Sequence, residues 1–275
     1  MTSDLSPSRR LFAANVKRRE DRIDLGLGAL LIAREEYPRL VVDDYLERLD
    51  QLAAGLAVEI DLDAGIGAIA RTIALYMAQE QGFEGAADDY YDARNSYLNE
   101  VMDRRRGIPL SLSVLYMEVA RRVNLLLLPV AMPGHFLLKL QSETEEVFLD
   151  PFNRSNVIDG AGAQALFDGL YQGRMKFSES MLGAATRRQV LSRMLNNLKA
   201  VYVQGDDAER ALRMVELLTL ITPWDLDEVR DRGLLRFRLR RFDEALPDLE
   251  AYAQYGPPGP EIETVRDALR RITSA

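Results

Sequence analysis

The 275-residue chain has no cysteine, a single histidine (His135) and a single tryptophan. Without cysteine there is no disulfide, no thiolate metal site and no thiol nucleophile. One imidazole leaves the common zinc ligand sets short of donors, so no metal or cofactor is expected. Lys and Arg total 35 against 43 Asp and Glu, a net charge of −8. A general nucleic-acid face is basic, so no nucleic-acid partner is expected. Long apolar runs are also missing. Leu25–Ala33 is about half of the ~20 residues a membrane span needs, and residues 1–10 lack the apolar stretch of a secretory leader. These absences predict a cytoplasmic protein with no membrane partner. What remains is a globular balance, 47% hydrophobic and 28% charged, with length for about two domains.

Residues 1–20 are charged and are expected to fray. Leu27, Leu30 and Leu31 recur at helical spacing before Tyr37-Pro38. Val42, Tyr45, Leu46, Leu49, Leu52, Ala53 and Leu56 then follow the i, i+3, i+4, i+7 pattern. Ile66, Ile69, Ala70, Ile73, Tyr76 and Met77 mark a third helix, which Gly82-Phe83-Glu84-Gly85 interrupts. Residues 1–85 therefore read as a helical bundle without a chemical motif, packed on the segment that follows.

In residues 86–180 the pattern changes. Asp88-Asp89-Tyr90-Tyr91 reads as surface, since adjacent carboxylates without alternating spacing make a poor calcium loop. Asn95 is placed to cap a short helix reaching Asp103, and Pro109 suits the first turn of the next helix, where its missing N–H is harmless. Residues 110–123 are apolar on nearly every side, so this helix is the buried centre. Residues 125–132, 135–140 and 147–149 read as strands, and 160–172 as a covering helix. The region is α+β. Residues 185–275 are helical and periodic: Ala211 and Ala245, and Pro223 and Pro257, are each 34 residues apart. With Gly233 and Phe242 these occupy the offsets of tetratricopeptide repeats, whose helix pairs bury their apolar faces by stacking. A last helix over 261–272 closes the stack.

His135 and Asp150, fifteen residues apart on neighbouring strands behind a buried helix, have the layout of a cysteine-type acyl-transfer site. Read alone, His135 in Pro133-Gly134-His135-Phe136 also suits a core histidine in a tight turn. Asp150-Pro151 also suits turn chemistry after a strand. Asn95 and Asn99 share a helix face, as caps and braces or as a polar pocket wall. Of Arg104, Arg105 and Arg106, one guanidinium, Arg105, is expected to turn inward toward a carboxylate or an anion.

Taken together, Asn95-Ser96-Tyr97-Leu98-Asn99, Arg105-Arg106-Gly107-Ile108-Pro109-Leu110-Ser111-Leu112-Ser113, Pro133-Gly134-His135-Phe136 and Asp150-Pro151-Phe152, ahead of tetratricopeptide repeats, resemble the bacterial SirB-type transglutaminase-like proteins. The match runs from about Leu27 to the end. The resemblance implies a transglutaminase-like core, with His135 at the base position, Asp150 orienting it, and Pro109 where the wider superfamily has its cysteine. Proline has no nucleophilic atom. Ser111 projects roughly 200° from Pro109, and Ser113 lies about 6 Å deeper along the helix, so neither overlays a cysteine at the helix mouth.

The expected function is therefore a non-enzymatic interaction or regulatory scaffold. Its repeats, rich in arginine at Arg232, Arg236, Arg238, Arg240 and Arg241, would meet a protein or acidic peptide segment. The alternative is a hydrolase or acyl-transfer enzyme using His135 and Asp150 with a serine or a water. A third reading keeps the old cavity as a small-ligand pocket bordered by Asn95, Asn99, Arg105, Pro109 and Ser113.

Overall fold

A computed structural model of the chain describes residues 5–273. In chain order the elements are α1 (Pro7–Val16), α2 (Leu25–Ala33), α3 (Val42–Glu59), α4 (Ile66–Ala74), β1 (Glu84–Gly85), α5 (Leu98–Arg104), β2 (Arg106–Gly107), α6 (Pro109–Arg122), β3 (Leu128–Val130), β4 (Leu137–Gln141), β5 (Glu146–Asp150), β6 (Asn156–Ile158), α7 (Gly160–Tyr171), α8 (Arg187–Gln204), α9 (Ala208–Ile221), α10 (Leu226–Arg238), α11 (Phe242–Tyr255) and α12 (Pro260–Thr273). A π-helical turn, Leu75–Glu80, continues α4. Contact density divides the chain into two units: residues 19–194, and residues up to Arg18 together with those from Leu195 onward. The division falls inside α8.

The larger unit forms around α6. Every residue from Pro109 to Ala120 is buried, as an all-round apolar sequence requires. Helices α2, α3 and α5 pack on it. Glu118 is the exception in charge, and Arg121 and Arg122 reach its carboxylate at 2.9 and 2.7 Å. An antiparallel sheet in the order β3-β4-β5-β6 lies alongside. Val130, Leu137 and Phe148 of this sheet share one cluster with Ala163 and Phe167 of α7. Leu138 and Leu149, paired in register, face the other way, as the period-two pleat dictates. Strand β1 pairs in parallel with β2, Gly85 opposite Gly107. Strand β6 and the β1–β2 pair are additions to the three strands expected from sequence, and all three are too short to carry a periodic signal.

The smaller unit stacks α9 on α10, α10 on α11 and α11 on α12. Gly233 marks the closest approach: a Cβ there would sit 2.8 Å from Leu249 Cδ2 and 3.1 Å from Asp248 Cβ. Ala245, Leu249, Tyr252, Val265 and Ala268 are buried in one cluster. The expectation of fraying in residues 1–20 is corrected over α1, while residues 1–4 lie outside the described residues. Ser6 caps α1 by accepting from the Arg9 amide, Pro7 opens it, and Phe12, Ala13 and Val16 are buried. It packs on α9, and Arg9 pairs with Glu216 at 2.6 Å.

One buried tyrosine ties α6 to the segment before β6. The Tyr116 hydroxyl lies 2.6 Å from Ser155 Oγ, and burial pushes its pKa well above the ordinary phenol value. In the unfolded chain the same phenol ionises near pH 10, so stability from this group is complete below about pH 10 and is lost as pH rises further. Unfolding free energy is expected to fall by roughly 1.4 kcal/mol per pH unit per such tyrosine above that point. Urea titrations at about pH 9 and about pH 11 should show a shallower fall for Tyr116→Phe than for the wild type. Equal slopes would mean that Tyr116 ionises alike in both states.

Candidate functional site

Two local turns build the site. Met132 O accepts from the His135 amide at 3.1 Å, and Gly134 between them has φ +74°. Pro at the second position, Gly with positive φ at the third and an i to i+3 bond are the signature of a type II turn. His135 therefore precedes β4 and does not lie on it, a correction to the strand expected over 135–140. The β4–β5 register, Leu138 opposite Leu149, carries this turn alongside the end of β5, where Asp150 stands.

Asp150 starts the second turn. Its Oδ1 accepts from the backbone amides of Phe152 and Asn153, both at 3.2 Å. Its Oδ2 accepts from Asn153 Nδ2 at 2.7 Å and stands 2.9 Å from His135 Nε2. The first two contacts are an Asx turn. A carboxylate is an acceptor, so Nε2 is the donor in this pair and Nδ1 is the ring nitrogen left for another contact. Nδ1 has no hydrogen-bond partner among the described residues. The dyad is buried, with His135 7% and Asp150 2% exposed. Phe152 meets the imidazole edge to face at 6.2 Å.

Phe152 also connects the dyad to the mouth of α6. A Cβ on Gly85 would lie 2.4 Å from the Phe152 carbonyl oxygen and 2.7 Å from its ring, so only glycine allows β1 this close. Gly85 pairs with Gly107, two residues before Pro109. Pro109 is the first residue of α6, and it offers no atom that can attack. Ser111 is engaged in holding the helix start: its Oγ accepts from the Ile108 amide at 3.1 Å and donates to Asn95 O at 2.5 Å. The first of these is half of a capping box. Ser113 is fully buried, and its Oγ has no partner among the described residues. Neither serine hydrogen-bonds to His135.

None of the other expected site residues hydrogen-bonds to the imidazole, whose side-chain bond goes to Asp150. Asn95 closes a short 3-10 turn, and α5 starts at Leu98, so Asn95 is not the cap expected from sequence. Its Nδ2 donates to Asp89 O at 2.7 Å, and its Oδ1 accepts from Arg104 at 3.1 Å. Asn99 is buried with its Oδ1 unpartnered among the described residues. The arginine that turns inward is Arg104, and Arg106 pairs with Asp88. Arg105 ends α5 in the left-handed conformation, φ 58°, and its exposed side chain borders a separate cleft of about 280 Å³ with Arg48, Tyr76 and Gln81. Sequence reasoning passed over Asn153, Tyr171 and Arg193, and it read Tyr90 as surface, whereas Tyr90 stands on Phe152 next to the dyad. Only Asn153 carried a local signal, as the third residue after an Asx-turn aspartate.

A buried helix opening at its N-terminus beside an antiparallel sheet, with a His–Asp pair where the sheet begins, is the architecture of a transglutaminase-like core; here it is joined to helical repeats. The chain belongs to the transglutaminase-like superfamily, whose profile matches residues 43–196. A tetratricopeptide-repeat profile matches residues 198–270. Among curated relatives, a UPF0162 protein of Xylella fastidiosa (strain Temecula1) is 34% identical over 253 residues, 91% of this chain and 90% of the relative. The UPF0162 protein YchA of Escherichia coli K12 is 30% identical, covering 87% of this chain and 88% of the relative. The protein SirB1 of Salmonella typhimurium is 29% identical with the same coverage. No solved structure gave a significant match. Among the described residues no helix is long and apolar enough to cross a membrane.

Proposed function

We propose that this protein is a non-enzymatic member of its superfamily, a regulatory or scaffolding protein in which the repeat helices meet a partner and the His–Asp pair braces the core. The observation that carries this reading is Pro109 at the first position of α6, combined with an imidazole whose side-chain hydrogen bond goes to Asp150 alone. A base without a nucleophile within reach performs no acyl transfer. The exchange between His135, Asp150, Asn153 and the Phe152 amide satisfies every acceptor position of the carboxylate, a reason for such a pair to persist without chemistry.

On the repeat side, Trp224 is 77% exposed in the turn between α9 and α10. Exposed tryptophan is over-represented among residues that dominate interface energies. The arginines of α10 and of the turn after it support an acidic partner less than their number suggests. Arg232 and Arg236 bind Asp248, at 2.6 and 2.8 Å, Arg241 binds Glu209 at 2.8 Å, and Arg238 binds Asp206. Of the five, Arg240 is the one without a carboxylate partner among the described residues. Apolar contact through Trp224 is the better-supported mode of recognition.

The competing reading, a hydrolase using a water or a serine, draws on His135 Nδ1, which has no hydrogen-bond partner among the described residues while Nε2 faces Asp150. A fluorophosphonate probe and an amine-incorporation assay on the full chain, with His135→Gln beside the wild type, separate the two. The expected result is no labelling and no turnover that depends on His135, together with full rescue of a gene-deletion strain by His135→Gln. A covalent adduct on Ser113, or a folded His135→Gln chain that fails to rescue, would overturn the proposal.

A further inference from the structure

Arg193, in the part of α8 that belongs to the larger unit, reaches the turn carrying the histidine. Its Nη2 donates to the carbonyl oxygens of His135 at 3.3 Å and Met132 at 3.5 Å, and its guanidinium carbon stands 5.5 Å from the Phe136 ring centre. These are long, neutral contacts. Other partly buried arginines of this chain, such as Arg104, Arg122, Arg230, Arg232 and Arg236, each have a carboxylate. Arg193 has none among the described residues. Removal from water lowers its pKa, and the ionisable groups near enough to act on it are Tyr90 and Tyr171.

Those two phenols complete the setting. Neither hydroxyl has a hydrogen-bond partner among the described residues. Tyr171 Oη lies 3.1 Å from where a Cβ on Gly134 would be, over the turn that holds His135. The Tyr90 ring stands edge to face on Phe152 at 5.9 Å, and Phe152 in turn stands on His135. An unpaired, partly desolvated cation is unfavourable unless something arrives to pair with it.

We propose that Arg193, with the hydroxyls of Tyr90 and Tyr171, forms a carboxylate-binding subsite beside His135. A single guanidinium matches a monoanion, and its planar fork matches the two oxygens of a carboxylate. The phenols supply neutral donors, and the faces of Phe152 and Tyr90 suit an apolar or aromatic group next to the carboxylate. The ligand is thus a small organic acid or the terminal carboxylate of a peptide with an apolar last residue. This inference goes beyond the proposed function and holds whether or not the dyad performs chemistry.

The test follows the ring resonances of His135, assigned without ambiguity because the chain has one histidine. Benzoate represents a free acid, N-acetylphenylalanine a chain terminus, N-acetylphenylalanine amide the same body without charge, and inorganic phosphate an anion of other shape. Saturable shifts are expected with at least one of the two carboxylates, and the one that binds more tightly identifies the source. The amide should produce none. Arg193→Gln should weaken binding at least about tenfold, as expected for a hydrogen bond between charged groups, and Arg193→Lys should weaken it less. Tyr171→Phe, which keeps the cation and the ring, should weaken it severalfold and serves if Arg193→Gln does not fold. The proposal is overturned if the amide binds as the acids do, if phosphate alone saturates, if no probe shifts the ring, or if the folded variants bind like the wild type.

Discussion

Pro109→Cys is expected to create a thiol that reacts with iodoacetamide at pH 6 about tenfold faster than a free cysteine, and to lose most of that advantage when His135→Ala is added. The first residue of α6 lies at the positive end of the helix, where a thiolate is stabilised. The family resemblance that puts Pro109 at the nucleophile position and His135 at the base position adds an imidazole to this stabilisation. Lowering a thiol pKa from about 8.5 to about 6 raises the thiolate fraction at pH 6 roughly 150-fold, and the accompanying loss of intrinsic nucleophilicity takes back about tenfold. Folding should tolerate the change, because an N–H at the first helical position needs no partner within the helix; the expected loss is under about 1 kcal/mol. Labelling rates across pH 5 to about 9, read by intact mass, distinguish the outcomes. A rate equal to that of free cysteine, and indifferent to His135→Ala, would mean that Pro109 does not occupy the nucleophile position. A His135-dependent rate would show that this one residue separates the present site from a working thiol site.

Asp150→Ala is expected to destabilise the larger unit by about 3–5 kcal/mol, the usual consequence of leaving buried hydrogen-bonding groups without their charged partner. Four donors lose their acceptor at once: His135 Nε2, the amides of Phe152 and Asn153, and Asn153 Nδ2. The pair is almost fully buried, so water does not replace the carboxylate without opening the turn. Asp150→Asn keeps an oxygen for the two backbone amides and should lose less. Urea unfolding with an unchanged m-value measures both. The sign is informative about function. Residues kept for chemistry are commonly strained, and replacing them stabilises. A rise in stability on Asp150→Ala would therefore count against a bracing role and in favour of the catalytic reading.

The turns on which the site depends were legible because their causes are local. Pro133-Gly134 before His135 sets a type II turn through a fixed proline φ and a glycine at positive φ. Asp150 followed by Pro151 sets an Asx turn within three residues. Pro109 marks the start of α6, and the unbroken apolar run after it marks burial on all sides. Helix α1 is the opposite case. Ser6 and Pro7 signal a start, but the charged composition hides an apolar stripe that becomes a helix face only against α9.

Sequence by itself thus determined the transglutaminase-like core, the repeat period, the approach of His135 to Asp150 and the absence of a thiol. The core and the meeting of His135 with Asp150 follow from the family resemblance of the motifs, and the period and the missing thiol from residues that are simply present or absent. Tertiary structure decided the rest. It chose Arg104 over Arg105 as the arginine on Asn95, and it placed Arg193 against the carbonyl of a histidine 58 residues earlier. It also paired Arg238 and Arg241 with Asp206 and Glu209, 32 residues away in each case. Those partners meet only after long loops close and helices pack. Their identity is fixed by which charges the packing brings together, and a linear reading of charge sees the arginines without the carboxylates that neutralise them.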